Sequence, residues 1–164
     1  MTELSAAADA IEAANQVVAS GIARLAEIGI DENQVLAYDV AHAAAAVQTG
    51  QSLLGYGSKG ETEAAIANAY VADAVAEIAG KLFGREAEWG VDAGALDSTR
   101  EFVAQYRDPA FLTGLAATPG PRHLDDDFEM VQDMFRRFAE EKLKPVAEHI
   151  HRDNGDIPEE IIEG

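Results

Sequence analysis

The sequence contains no cysteine, which removes disulfide staples, thiolate metal sites and cysteine nucleophiles and leaves the redox compartment open. Positive charge is scarce: 12 lysines and arginines stand against 30 aspartates and glutamates, for a formal net charge of −18. A chain of that balance does not bind nucleic acid by neutralising phosphates. Aromatic residues make up only 7% of the 164 positions, and there are five prolines. No apolar run approaches the roughly 18 residues that a membrane-crossing helix needs. The opening Met1-Thr2-Glu3-Leu4 also lacks the basic head of a secretory signal, so a cytoplasmic location is expected and no membrane partner. What is present is apolar material: 48% of residues are hydrophobic, enough for a packed core in one domain, or one domain plus a piece.

Helical periodicity dominates. Leu4, Ile11, Val18 and Leu25 recur every seven residues, with Ile22 and Ile28 beside them, and predict a helix that Gly29 stops. Asp31 and Gln34 have the spacing of a variant capping box, opening a second helix with Val35, Tyr38, His42, Ala45 and Val47 on its stripe. Its alanine-rich surface suits close approach to neighbouring helices. A third helix is expected from Glu61 or Thr62 to Phe83 along Ile66, Ala69, Tyr70, Asp73, Ala76 and Leu82, with Gly84 ending it. From Arg85 to Asp97 the period is lost, and Trp89 is expected to cap the end of the bundle from a surface connection. Ser98 with Glu101, and Asp108 with Pro109, predict two short helices. Pro119-Gly120-Pro121 cannot continue a helix and is the best candidate boundary, dividing an alanine-rich helical extension, 1–120, from 121–164.

After the boundary, Asp125, Asp126 and Asp127 cap a helix whose stripe is Phe128, Val131, Met134, Phe135, Phe138 and Ala139. Pro145 forces a kink or break, Asn154-Gly155 a turn, and Ile157-Pro158 begins a last helix with Glu159 and Glu160 in its first turn. No stretch alternates apolar and polar residues over a strand's length, so the fold class is all-α, a helical bundle.

Three constellations could carry chemistry. Gly55-Tyr56-Gly57-Ser58-Lys59-Gly60 spells G-x-G-x-x-G, which cradles a pyrophosphate only where a strand precedes it; here a helical pattern runs in and another runs out, so a helix-to-helix turn is expected. His42, one turn after Asp39, could be a phosphotransfer histidine, but Ala43 to Ala46 supply neither the basic residue nor the glycine that such a module wants. A partly buried structural histidine is the expectation. His149, His151 and Asp153 do not converge on one helix face as a metal site requires. No catalytic, cofactor-binding or metal-ligating residue is therefore assigned.

The run Phe135-Arg136-Arg137-Phe138-Ala139-Glu140-Glu141, then Leu143-Lys144-Pro145, then Asp153 to Gly155 and Ile157-Pro158, resembles the opening of the acyl-CoA dehydrogenase family. The resemblance covers about residues 124–164 and implies the start of that family's N-terminal helical domain. It further implies a flavoenzyme in which a glutamate takes the α proton of an acyl-CoA while FAD accepts a hydride from the β carbon. In the family both lie in later domains, so neither is carried onto a residue here. Implied partners are the acyl-CoA, the remainder of the enzyme, an electron-transfer flavoprotein or similar acceptor, and further copies in a homo-oligomer. Residues 1–120 depart from the ordinary family and look like the helical extension of one branch, the methylsuccinyl-CoA dehydrogenases, which desaturate a short branched dicarboxylyl-CoA to mesaconyl-CoA in the ethylmalonyl-CoA route. The extension is expected to pack on the enzyme's helical domains. The competing expectation is a free-standing, non-catalytic helical interaction module.

Overall fold

A computed structural model describes residues 3–163, all of whose regular structure is helical. Helix α1 spans Glu3–Ile28, α2 Gln34–Gly57 and α3 Glu61–Leu82; the shorter α4, Glu86–Trp89, a 3-10 turn, Asp97–Thr99, and α5 and α6, Arg100–Tyr106 and Pro109–Ala116, follow. Then come α7, Asp126–Phe138, a π-helical turn, Ala139–Leu143, α8, Lys144–Asp153, and α9, Glu159–Ile162. The chain divides after Gly120 into two compact units.

In the first unit α1, α2 and α3 pack mutually around a core of mostly small residues, among them Ala7, Ala10, Ile11, Ala14 and Val18 from α1, Leu36, Val40, Ala43 and Val47 from α2, and Val71, Val75 and Ile78 from α3. Alanine and glycine let the helices approach closely. A methyl at Gly21 would lie 2.7 Å from Val40 Cγ2 and 3.0 Å from Trp89 Cε3, and one at Gly50 would overlap Ile11. Trp89 is not a surface cap. It is fully buried in the core cluster, because the short α4 turns it inward over the Gly21 notch of α1.

The expected stripe of α1 faces inward, with Ile11, Val18 and Leu25 buried, but the faces of α2 and α3 are rotated. On α2 the buried residues are Leu36, Val40, Ala43, Val47, Gly50 and Gly57, while Val35 and Tyr38 are 70% and 64% exposed. Two stripes one residue apart share the same period, and the one with Leu36, Val40 and Val47 buries more branched aliphatic surface. On α3 the same rotation buries Ala67, Val71 and Val75 and leaves Asp73 outside; on α1 Ile22 points to solvent.

Two capping assignments also change. Asn33, not Asp31, precedes α2, and its side-chain amide donates back to the carbonyls of Ile28 and Gly29, closing the end of α1 instead. Ser98 lies inside the 3-10 turn and caps nothing. The other caps stand: Asp108 accepts from the amides of Ala110 and Phe111 at 2.9 and 3.0 Å, and Asp125 from that of Phe128 at 3.0 Å.

In the second unit no described residue is buried. The π-helical turn precedes Pro145 and absorbs the break in the hydrogen-bond ladder that a proline without an N–H imposes. Asn154 ends α8 in the left-handed conformation, φ 50°, and Gly155 N–H donates to Ile150 O.

Candidate functional site

His42 and Asp39 do not form a pair. His42 is exposed on the outer face of α2, its ring 4.2 Å from that of Tyr38. Asp39, one step round the helix, faces Arg85 and Lys81 instead, at 2.7 Å (Oδ2 to Arg85 Nη1) and 3.3 Å (Oδ1 to Lys81 Nζ). A partly buried histidine is thus replaced by a partly buried aspartate. Of the glycine run, Gly55, Tyr56 and Gly57 are the last residues of α2, and only Ser58, Lys59 and Gly60 form the turn to α3, with Lys59 Nζ 5.6 Å from the centre of the Tyr56 ring. His149 Nδ1 lies 3.0 Å from Asp153 Oδ2 across one turn of α8, and both are exposed. Among the described residues no three histidine or acidic side chains are placed to hold a metal ion.

The charge cluster joins three elements. Arg85 bridges Asp39 of α2 and Glu88 of α4, while Lys81 of α3 bridges Asp39 and Glu77. The Arg85 hydrogen bond, reinforced by Lys81, holds the Asp39 carboxyl below its usual range against the opposing effect of burial. Glu88 and Asp39 in turn raise the Arg85 pKa. Every member already has a partner, so the cluster ties helices together; its chemistry is structural. Sequence reasoning missed it because Lys81 and Arg85 lie more than forty positions from Asp39.

Two apolar features remain. An open groove of about 580 Å³ runs beside α3 and α5 over Val75, Ala79, Phe83, Leu96, Val103 and Ala104, with Phe83 87% exposed at its edge. On α7, Phe128, Met130, Met134 and Phe135 are each more than half exposed on a strongly amphipathic helix. The groove is also lined by Glu86, Asp92, Asp97 and Arg100, the last two paired at 2.7 Å, whereas the exposed face of α7 is an apolar surface suited to covering by protein.

Against known proteins, the chain is similar to (2S)-methylsuccinyl-CoA dehydrogenase of Cereibacter sphaeroides, 31% identical over 123 residues. That relative is an acyl-CoA dehydrogenase by name. The likeness covers 65% of this chain and 22% of the relative, so the chain spans less than a quarter of that protein's length. Since residues 121–164 are 44 of 164, 65% of the chain cannot come from them alone, and the similarity reaches into 1–120. No family model matches the chain, and no solved structure does. Among the described residues no helix is long and apolar enough to cross a membrane.

Proposed function

We propose that this chain is the N-terminal part of a cytoplasmic, FAD-dependent acyl-CoA dehydrogenase, with 1–120 as a helical extension and 121–164 as the first helices of the N-terminal helical domain. The substrate proposed is a short branched dicarboxylyl-CoA, methylsuccinyl-CoA, desaturated to mesaconyl-CoA. The observation that carries the reading is the similarity to the Cereibacter sphaeroides enzyme, at least part of which falls within 1–120. The physical state of 121–164 supports it: α7 presents Phe128, Met134 and Phe135 to solvent with no core of its own, as an opening helix does when its covering helices lie elsewhere.

The residues present do not fit a flavin site. The glycine run 55–60 begins inside the last turn of α2 and no strand precedes it to aim a phosphate at a helix N-terminus, so no residue here is assigned to FAD or to the catalytic base. The role proposed for this part is structural, packing on the helical domains of the enzyme. The test is turnover. The protein isolated from its source with an antibody against 1–120 is expected to convert methylsuccinyl-CoA to mesaconyl-CoA with an artificial electron acceptor. Activity on a straight-chain acyl-CoA alone would overturn the substrate, and no acyl-CoA oxidation at all would favour the free-standing module.

A further inference from the structure

Asn154-Gly155 ends α8 in an arrangement that packing does not demand. Asn154 takes the left-handed position, φ 50° and ψ 40°, whereas Gly155 has no positive φ and could carry a side chain: a Cβ there would meet only Ile150 Cα, at 4.0 Å. Both residues are exposed, and among the described residues nothing holds the Asn154 carboxamide. One bond restrains the pair. Gly155 N–H donates to Ile150 O at 3.0 Å, the hydrogen bond that closes a helix ending in a left-handed residue.

We propose that Asn154 is a site of spontaneous deamidation and isoaspartate formation, gated by the last turn of α8. The chemistry needs only water. The Gly155 nitrogen gives its proton to solvent and attacks Asn154 Cγ; the Cγ–Nδ2 bond breaks, and Nδ2 takes a proton back and leaves as ammonia. Glycine favours the attack, because no side chain shields its nitrogen. The product is a five-membered imide in which that nitrogen joins Cγ to the Asn154 carbonyl carbon. Water opens the imide on either side: addition at Cγ gives aspartate, and addition at the carbonyl carbon gives isoaspartate, whose main chain runs through Cβ and Cγ. No electrons are transferred.

The folded geometry opposes ring closure. At ψ 40° the Gly155 nitrogen lies almost opposite Cβ across the Cα–C bond, whereas the ring needs both on the same side. Turning that bond breaks the Gly155 hydrogen bond to Ile150 and undoes the helix end. The reaction therefore proceeds from the opened last turn, at a rate proportional to its population. That turn opens readily: α8 buries no described residue, and its His149–Asp153 and Arg152–Glu148 pairs are exposed. Isoaspartate does not restore the cap. It lengthens the main chain by one carbon between α8 and α9 and adds a negative charge, to a chain already at −18, at the helix end that disfavours it.

The proposal does not depend on the enzymatic reading, and its experiment contains no flavin or acyl-CoA. The 164-residue chain is incubated in neutral buffer. Peptide mass spectrometry then reads the gain of one mass unit at Asn154, and methyl transfer from S-adenosylmethionine by an isoaspartyl methyltransferase reads the isoaspartate. Asn154 should be modified about tenfold or more faster than Asn15, Asn33 and Asn68, none of which precedes a glycine. Denaturing urea, which removes the gate, should raise the rate about threefold or more. His151→Gly, which weakens the last turn at an exposed position, should raise it about two- to fivefold. Gly155→Ala, which the 4.0 Å clearance admits, should lower it about tenfold or more. An Asn154 that stays intact, reacts no faster than the other asparagines or yields no isoaspartate would overturn the site, as would a rate indifferent to Gly155→Ala. A rate that either urea or His151→Gly leaves unchanged would overturn the gate.

Discussion

Asp39 shows how one residue's environment becomes a measurable property of the fold. Its folded pKa is depressed, chiefly by Arg85 and then by Lys81, below the roughly 3.9 of an unfolded chain. The folded state therefore binds this proton less readily than the unfolded one. The stability it contributes is whole above about pH 4 and is lost as pH falls through the lower folded value. Asp39→Asn should cost about 1 kcal/mol in urea denaturation at pH 7, because Lys81 and Arg85 lose their shared carboxylate, and the cost should shrink towards pH 2. A cost that does not change with pH would contradict the charge argument. Gly21 makes a steric claim of the same kind. Gly21→Ala sets a methyl 2.7 Å from Val40 and 3.0 Å from the Trp89 ring, and should destabilise by about 1–3 kcal/mol while shifting the fluorescence of the single tryptophan.

The helices themselves were legible; their rotation was not. The stop at Gly29, the cap at Asp108 with Pro109 behind it, the cap at Asp125 and the turn at Asn154 all follow from local chemistry that acts within four residues, and the structure contains each of them. Which face of α2 turns inward depends on what α1 and α3 present to it. With alanines on both sides, Val35 and Tyr38 looked as suitable for the core as Leu36 and Val40. Trp89 was placed at an end for a similar reason, since the notch at Gly21 that receives it lies far away in sequence. The contrast between elements predicts their dynamics. Backbone amides near Val71, Val75 and Ile78 should exchange with solvent only on global unfolding, whereas those of α7 and α8, which bury nothing among the described residues, should exchange orders of magnitude faster. Equal protection in both regions, measured by hydrogen exchange and mass spectrometry, would show that α7 and α8 are covered in a way their exposure does not reveal.

Over the whole molecule, every described residue that reaches full burial belongs to 1–120. A chain ending at Gly120 should keep its cooperative urea transition and the buried-tryptophan emission of the 164-residue chain; loss of the transition would mean that 121–164 supplies part of the core. The Asp39 cluster was not legible in the sequence, because Lys81 and Arg85 lie more than forty positions from Asp39; the family-like residues of 121–164 pointed to a family and to no site residue. Composition excluded partners but named none, and the Asp39 cluster, which looked like half of a histidine site, joins helices instead. We propose that these 164 residues open a longer flavoprotein. Native mass spectrometry of the protein captured from its source, with collisional release of bound cofactor, tests it most directly. The expected result is a polypeptide several times heavier than 17.4 kDa that releases FAD; a flavin-free species at 17.4 kDa would contradict it.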